Sequence, residues 1–338
     1  MTAWDDLNAR SRGLATHLLG RDRLASLARV PDLAALAECL RGFGYPIPLE
    51  GRMDGADIEL AARRHLAARL ATLGRWAAGR RPALAIIFED EERRSIVALL
   101  RGAVQHAEPE VRLAGLLPTP NLPEKALEEL SRQPSPAALA ALLLAWDHPL
   151  APALLPQAGR PEPDLLHLEV LLHRAFAERA LTAARREGRS GTLARYVRRL
   201  IDLENAFTVL ALSDEKDAKV AECWIDGGTL LGPDLAQRAA AAGGPRAAAP
   251  ILAKAFAGLP LADAFRQEPE DGGIEVAVLR AQLLELRAAA RQDPLSPALL
   301  LGYALRLRAE LLDVCRLTWG LALGAPAGIL TAALATVP

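Results

Sequence analysis

Apolar residues recur at helical spacing through nearly the whole chain, and the pattern is written three times. From Ile58, residues Leu60, Leu66, Leu70 and Leu73 form one stripe, with Arg63, Arg64, Arg69 and Arg75 beside it. From Leu168 the stripe is Leu171, Leu172, Ala175, Phe176 and Ala180, and from Ile274 it is Val278, Leu279, Leu283 and Leu286. Each opens on a short motif, Ile58-Glu59-Leu60, Leu168-Glu169-Val170 and Ile274-Glu275-Val276, whose glutamates lie 110 and 106 positions apart. A second helical segment follows each stripe and repeats a polar cluster, a small polar residue and an apolar run: ERRSIVALLRG around Ser95, DLENAFTVLAL around Asn205, AELLDVCRLTWG around Asp313. From the glutamate to the small polar residue is 36 positions in the first two copies and 38 in the third.

A third segment completes the unit. It reads LPEKALEELSRQPSPAALAALL from Leu122 and LGPDLAQRAAAAGGPRAAAPIL from Leu231, and the third copy lacks it. The missing piece stands at the start of the chain, where Leu24, Leu27, Pro31 and Leu36 match Leu127, Leu130, Pro134 and Leu139 at a constant offset of 103. The N-terminus thus supplies what the C-terminus lacks, which predicts a closed arrangement with approximate threefold symmetry in place of an open solenoid with capped ends. The expected fold is all-α: three helical units, 51–160, 161–270 and 271–338 plus 1–50, in a pseudo-threefold cup or funnel. Proline and glycine runs mark the joints: Pro118, Pro120 and Pro123, then Pro156, Pro161 and Pro163, then Glu268 to Gly273.

Composition agrees. Aromatic residues are only 4%, and Ala, Leu, Arg and Glu dominate, which favours helices. The stretches VRLAGLL and KVAECWI come nearest to strands, but each is short and lies between helical patterns. Leu317 to Pro338 carries no charge over 22 residues, yet Gly320, Gly324, Pro326 and Gly328 interrupt it; the expectation is two short helical pieces broken near Ala325-Pro326 and packed inside the third unit. The start of the chain has no apolar signal-peptide core. A formal charge of −1 argues against nucleic-acid binding by phosphate neutralisation. Cys39, Cys223 and Cys315 are odd in number and far apart, which suits a reducing compartment.

Catalytic chemistry leaves no trace in the pattern. There is no G-x-x-x-x-G-K-[ST] loop and no G-x-G-x-x-G after a strand, so neither ATP nor another cofactor is expected. The six histidines form no metal-binding pair, and His167 and His173 lie on different faces of one helix. No nucleophile turn occurs. The candidates that remain are contacts with partners. Arg185 to Arg199 carries six arginines, among them Arg185, Arg186 and Arg189, and reads either as a solvated loop and helix start or as a contact for an acidic partner or anionic lipid headgroups. Glu59, Glu169 and Glu275 are read first as glutamates placed for the helix dipole, or as one rim of the cup. Glu89, Asp90, Glu91 and Glu92 are read as a helix N-terminal cap or an acidic contact patch. Ser95, Asn205 and Asp313, each between apolar residues, are expected to make buried hydrogen bonds to a neighbouring segment.

These residues carry a resemblance to the C-type subunits of V-type ATPases, the d-type of eukaryotic complexes. Asn8 to Ala28 is similar to the family's opening, DLENAFTVLAL and RAELLDVCRLTWG to its recurring helix, and Pro297 to Leu317 to its C-terminal helix pair. Ser95 departs where Asn or Asp is usual, and Ala211 and Trp319 where Arg is common, while Arg101 keeps it. The resemblance implies a non-catalytic central-stalk subunit on the cytoplasmic face, peripheral to the membrane. It would link the rotor shaft of the ATPase head to the membrane proteolipid ring and pass torque for proton or sodium transport. The alternative is a free helical scaffold that takes a partner helix in its central groove.

Overall fold

The computed structural model describes residues 4–49, 53–76, 81–186, 191–215, 219–266 and 273–337. The chain opens with α1 (Asp5–Ala15), α2 (Arg21–Leu27) and α3 (Leu33–Gly42). The first copy follows as α4 (Gly55–Trp76), α5 (Arg81–Val104), α6 (Pro109–Leu113), α7 (Glu124–Ser131), α8 (Pro136–Ala145) and α9 (Leu155–Ala158). The second is α10 (Leu165–Arg186), α11 (Thr192–Leu212), α12 (Val220–Cys223), α13 (Pro233–Ala240), α14 (Pro245–Leu252) and α15 (Pro260–Arg266). The third is α16 (Gly273–Gln292), α17 (Ala298–Ala322) and α18 (Ala327–Ala332). No strand occurs among the described residues, so the fold is all-α. VRLAGLL and KVAECWI enter the short helices α6 and α12. The chain breaks between α17 and α18 at Ala325-Pro326, and no helix among the described residues is long and apolar enough to cross a membrane. Of the expected joint Glu268 to Gly273, all but Gly273 lies outside the described residues.

The helices fall into two compact units, Met1–Ala78 with Gln267–Pro338, and Gly79–Arg266. In the first, α17 packs on α4 and α16, and α1, α2 and α3 pack on α17, so the N-terminal helices share a compact unit with the C-terminal helices and α4. In the second, α5 packs along α10, α10 on α11, and α11 on α13 and α14. The matched leucines show why. Leu24, Leu27 and Leu36, like Leu127, Leu130 and Leu139, are all essentially buried, each contributing about 1.5–3 kcal/mol of apolar burial. In the second copy the equivalent positions are Ala236, Ala239 and Ala248, also buried. Phe256 and Phe265 of the same copy are also fully buried and stack 5.1 Å apart. The helix pair of the third segment is also capped alike: Asp32 accepts a hydrogen bond from the Ala35 N–H at 2.8 Å, and Ser135, 103 positions on, from the Ala138 N–H at 3.2 Å.

A buried carboxylate holds this third segment in every copy. Three residues before Ser95, Asn205 and Asp313 stand Glu92, Asp202 and Glu310, exposed by no more than 1%. Asp202 accepts hydrogen bonds from the backbone N–H groups of Thr229, Leu230 and Leu231 at 3.1–3.2 Å. Gly228 must be glycine for this approach, since a Cβ there would lie 2.3 Å from the Asp202 Oδ1. Glu92 acts through side chains: the Thr119 hydroxyl and Asn121 amide donate to its Oε1 at 2.7 and 3.0 Å, and the Leu122 N–H donates to the Thr119 Oγ1. Its Oε2 lies 3.2 Å from the His148 Nε2. Glu310 accepts from the Leu19 N–H and from the Tyr45 hydroxyl, each at 2.7 Å. Tyr45 stands 103 positions before His148, the offset that relates the two third segments. Where the carboxylate is ionised, such bonds are worth about twice a neutral one.

One turn further along, the small polar residue clamps the segment that returns from the second helix. The Asn205 amide donates to the Ile225 carbonyl at 2.8 Å and accepts from its N–H at 2.9 Å, while Asp313 accepts from the N–H groups of Ala335 and Thr336. Ser95 is buried at the same position. The opposite side of the returning segment is held by an arginine five residues after the repeated glutamate. Arg174 donates to the carbonyls of Trp224 and Glu222, and Arg280 to those of Leu334 and Ala332.

Asp202→Ala leaves three partly buried N–H groups without an acceptor, and the expected loss is about 3 kcal/mol, a fall in Tm of roughly 5–10 °C by calorimetry. Asp202→Asn keeps one acceptor oxygen and loses less; equal Tm for wild type and the alanine variant would remove the tether from the account.

Glu310 adds a pH signature. Burial raises its carboxyl to about 7 against the opposing hydrogen bonds from Tyr45 and Leu19. The folded chain therefore holds this proton where the unfolded chain has released it, and stability from this group falls as pH rises from about 4.5 to about 7. Half-buried His65 and His173, lowered to about 4 by desolvation, act in the opposite sense below about 6.5. The clean readout is a difference: Glu310→Gln gains stability relative to wild type as pH rises from 5 to 8, and parallel urea-unfolding profiles for the two would contradict it.

Candidate functional site

The six residues singled out as partner contacts occupy different surroundings. Glu59 is the fifth residue of α4, 5% exposed, and its Oε2 accepts a 2.8 Å hydrogen bond from the Trp319 indole N–H of α17. The indole lies over Gly55 so closely that a Cβ there would meet the ring at 3.0–3.2 Å, which makes glycine the floor of this joint. Glu169 is the fifth residue of α10, where Arg101 of α5 donates two bonds to its carboxylate at 2.6 and 2.8 Å. This is a fork-to-fork pair, the geometry that gives an arginine–carboxylate contact its directionality. Glu275 is exposed in the first turn of α16.

These contacts follow one register. Arg101, Ala211 and Trp319 are equivalent positions of the second helices. Arg101 reaches the glutamate of the second copy and Trp319 the glutamate of the first, so two of the three repeated glutamates serve joints between successive copies inside a compact unit. At the remaining position Ala211 has no polar side chain, and both it and Glu275 are exposed. A glutamate near a helix start gains from the dipole, but here a specific side-chain partner on another helix fixes its position.

The acidic run is the main correction to the sequence analysis. Glu89 to Glu92 lie in the middle of α5, not before a helix, and Glu89, Asp90 and Glu92 are buried. Arg179 of α10 donates two bonds to Glu89, at 3.0 and 2.8 Å. Arg93, 1% exposed, donates to Asp90 and to Glu204, each at 2.7 Å, and its guanidinium lies 5.2 Å over the Phe176 ring. Burial favours protonation of Glu204, but Arg93, His173 and Arg94 outweigh it and hold the carboxyl down to about 2. Burial pushes His173 to about 4, aided by Arg93 and Arg94 and opposed by Glu204, so its ring is neutral near pH 7, with Nδ1 3.4 Å from Glu204. Sequence reasoning missed this cluster because a run of acids is also what a helix start contains; the arginines that neutralise it are three to four residues on, or 90 away, and a further acid, Glu204, joins from 111 residues on. Every charge in the cluster is met by another protein group, which is the arrangement of a buried ion-pair network joining α5, α10 and α11. Among the described residues no group of three or more His, Cys, Asp or Glu is placed to hold a metal ion.

The basic end of the second copy differs from this. Arg185 and Arg186 are exposed in the last turn of α10, and Arg195 and Arg198 are exposed on α11. Arg189 lies outside the described residues. Cations at the C-terminus of α10 are favoured by its dipole, yet four of one sign on the ends of two packed helices exceed that local need.

A search of curated proteins found no match to the chain. A family model described as ATP synthase (C/AC39) subunit matches residues 7–330, nearly the whole sequence, from the first turn of α1 to α18. The chain belongs to the ATP synthase (C/AC39) subunit family.

Proposed function

We propose that the chain is a non-catalytic central-stalk subunit of a rotary V-type ATPase or ATP synthase. It would be a socket that links the rotor shaft of the soluble head to the membrane proteolipid ring and passes torque for proton or sodium transport. The observation that carries this reading is the family match over residues 7–330, which takes in all three copies and the N-terminal helices. The three-copy organisation, 51–160, 161–270 and 271–338 plus 1–50 about a pseudo-threefold axis as a cup, is part of the proposal. So is the peripheral position on the cytoplasmic face, held by protein contacts.

The internal chemistry suits a part that transmits force. Each copy's third segment is pinned by a buried carboxylate, and the returning segments of the second and third copies are clamped on their N–H and C=O sides. Such joints resist sliding, because shifting a segment by one residue would leave several polar groups buried without partners. Partner contacts then fall to exposed surface, where the Arg185–Arg186 end of α10 offers cations to an acidic partner, and Arg189 extends the same run.

The tagged chain, recovered from gently solubilised membranes of its source and analysed by mass spectrometry, is expected to bring rotor-shaft and proteolipid subunits with it. Recovery of the chain alone from intact complexes would overturn the reading in favour of a free scaffold. Reversing Arg185, Arg186 and Arg189 to Glu is expected to lower co-recovery about ten-fold at unchanged Tm, since rim charges govern association more than folding.

A further inference from the structure

The unit formed by the chain ends carries a half-open cavity of about 760 Å³, a volume that suits a small-molecule ligand. It is bounded by α1, the start of α2, α16, α17 and the last residues of the chain. Its cations are Arg12, Arg21, Arg287, Arg291 and Arg306, and among the described residues that line it Asp22 is the single acid. Neutral partners hold one of these cations: Arg21 donates to the carbonyls of Leu334, Thr336 and Thr331, so its full positive charge remains at the cavity wall. Burial lowers the proton affinity of Arg306, and Arg287 beside it adds to the effect against Glu310. Leu283, Leu286, Leu299 and Gly302 form apolar wall between these charges. Ser11 lies behind the wall, 1% exposed, and its hydroxyl, sealed from water, has no hydrogen-bond partner within the protein.

We propose that this cavity binds a small anionic amphiphile whose phosphate head is taken by the arginines and whose apolar body lies on the leucines. Five guanidinium groups against one carboxylate favour a phosphate, which carries up to two charges and accepts several forked hydrogen bonds, over a monoanionic carboxylate. The apolar wall excludes a free inorganic anion as the best occupant, because it would leave that surface wet.

The test is calorimetric titration of the full chain with octyl phosphate below its micelle concentration, beside inorganic phosphate and octyl glucoside. Saturable binding of octyl phosphate is expected, with each control about ten-fold weaker or worse, since each lacks one half of the recognition. Two variants separate the site from the fold. The exposed pair Arg12→Gln with Arg291→Gln removes charge, and Gly302→Leu fills the space; a Cβ at Gly302 meets only Leu286 Cβ at 3.8 Å. Each is expected to weaken octyl phosphate binding about ten-fold at wild-type Tm. No saturable binding, or binding unchanged in both variants, would overturn the proposal. Sedimentation with phosphatidylcholine vesicles containing phosphatidic acid then identifies the source: pelleting that the variants abolish assigns a membrane lipid, and no pelleting beside octyl phosphate binding assigns a soluble amphiphile.

Discussion

The structure depends on one recurring constraint: a carboxylate on the second helix of each copy, sealed from water, must find donors from a segment far along the chain. Glu92, Asp202 and Glu310 are each exposed by 1% or less, and an unpaired carboxylate at such a depth would cost several kcal/mol. The third segment resolves the cost by entering its helix pair at that point, where its first N–H groups or a side-chain relay reach the carboxylate. Buried leucines, or alanines in the second copy, then supply the apolar part of the same joint. Because the donors for Glu310 come from Leu19 and Tyr45, the same constraint binds the beginning of the chain to its end.

Position is preserved while chemistry varies. Asp202 meets three backbone N–H groups directly, Glu92 uses Thr119 and Asn121 as a relay with His148 behind, and Glu310 uses one backbone N–H and a tyrosine. A longer side chain at 92 and 310 spans a gap that the aspartate at 202 closes by bringing glycine alongside. The solutions differ in strength. Glu310, raised to about 7 by burial, is the tether that changes charge near neutrality, and it is the one that closes the chain ends.

Much of this was legible in the sequence, and the limits are physical. The leucine offset of 103 related the N-terminal segment to the one after the first helix pair, whose leucines are buried alike, and the small polar residues announced the clamps on Ile225 and Ala335. The carboxylates three residues earlier were visible only as part of a polar cluster, because burial of a charge is decided by what packs over it. Their donors sit between about 20 and 290 positions away, or act through backbone N–H groups that every residue carries. The acidic run at Glu89 failed for a related reason: charge favours a helix start and an internal ion-pair network alike, and the distinction lay in Arg179 and Glu204 on other helices. The repeated glutamates kept their register in sequence, but their partners, an arginine in one joint and an indole in another, are chemically unlike.

That difference between joints bears on how force could pass through the chain. A forked arginine–carboxylate pair such as Arg101 with Glu169 is directional, yet the guanidinium is 57% exposed, so water and salt weaken it. The Trp319 indole bond to Glu59 is neutral on one side, and its ring also covers Gly55 with apolar contact that salt does not screen. The buried tethers are shielded from solvent at every copy, and their loss exposes several orphaned donors at once, so they set the stiffness while the outer joints adjust it. The bonds that salt cannot reach thus lie sealed within the copies, while the salt-sensitive Arg101–Glu169 pair stands toward water.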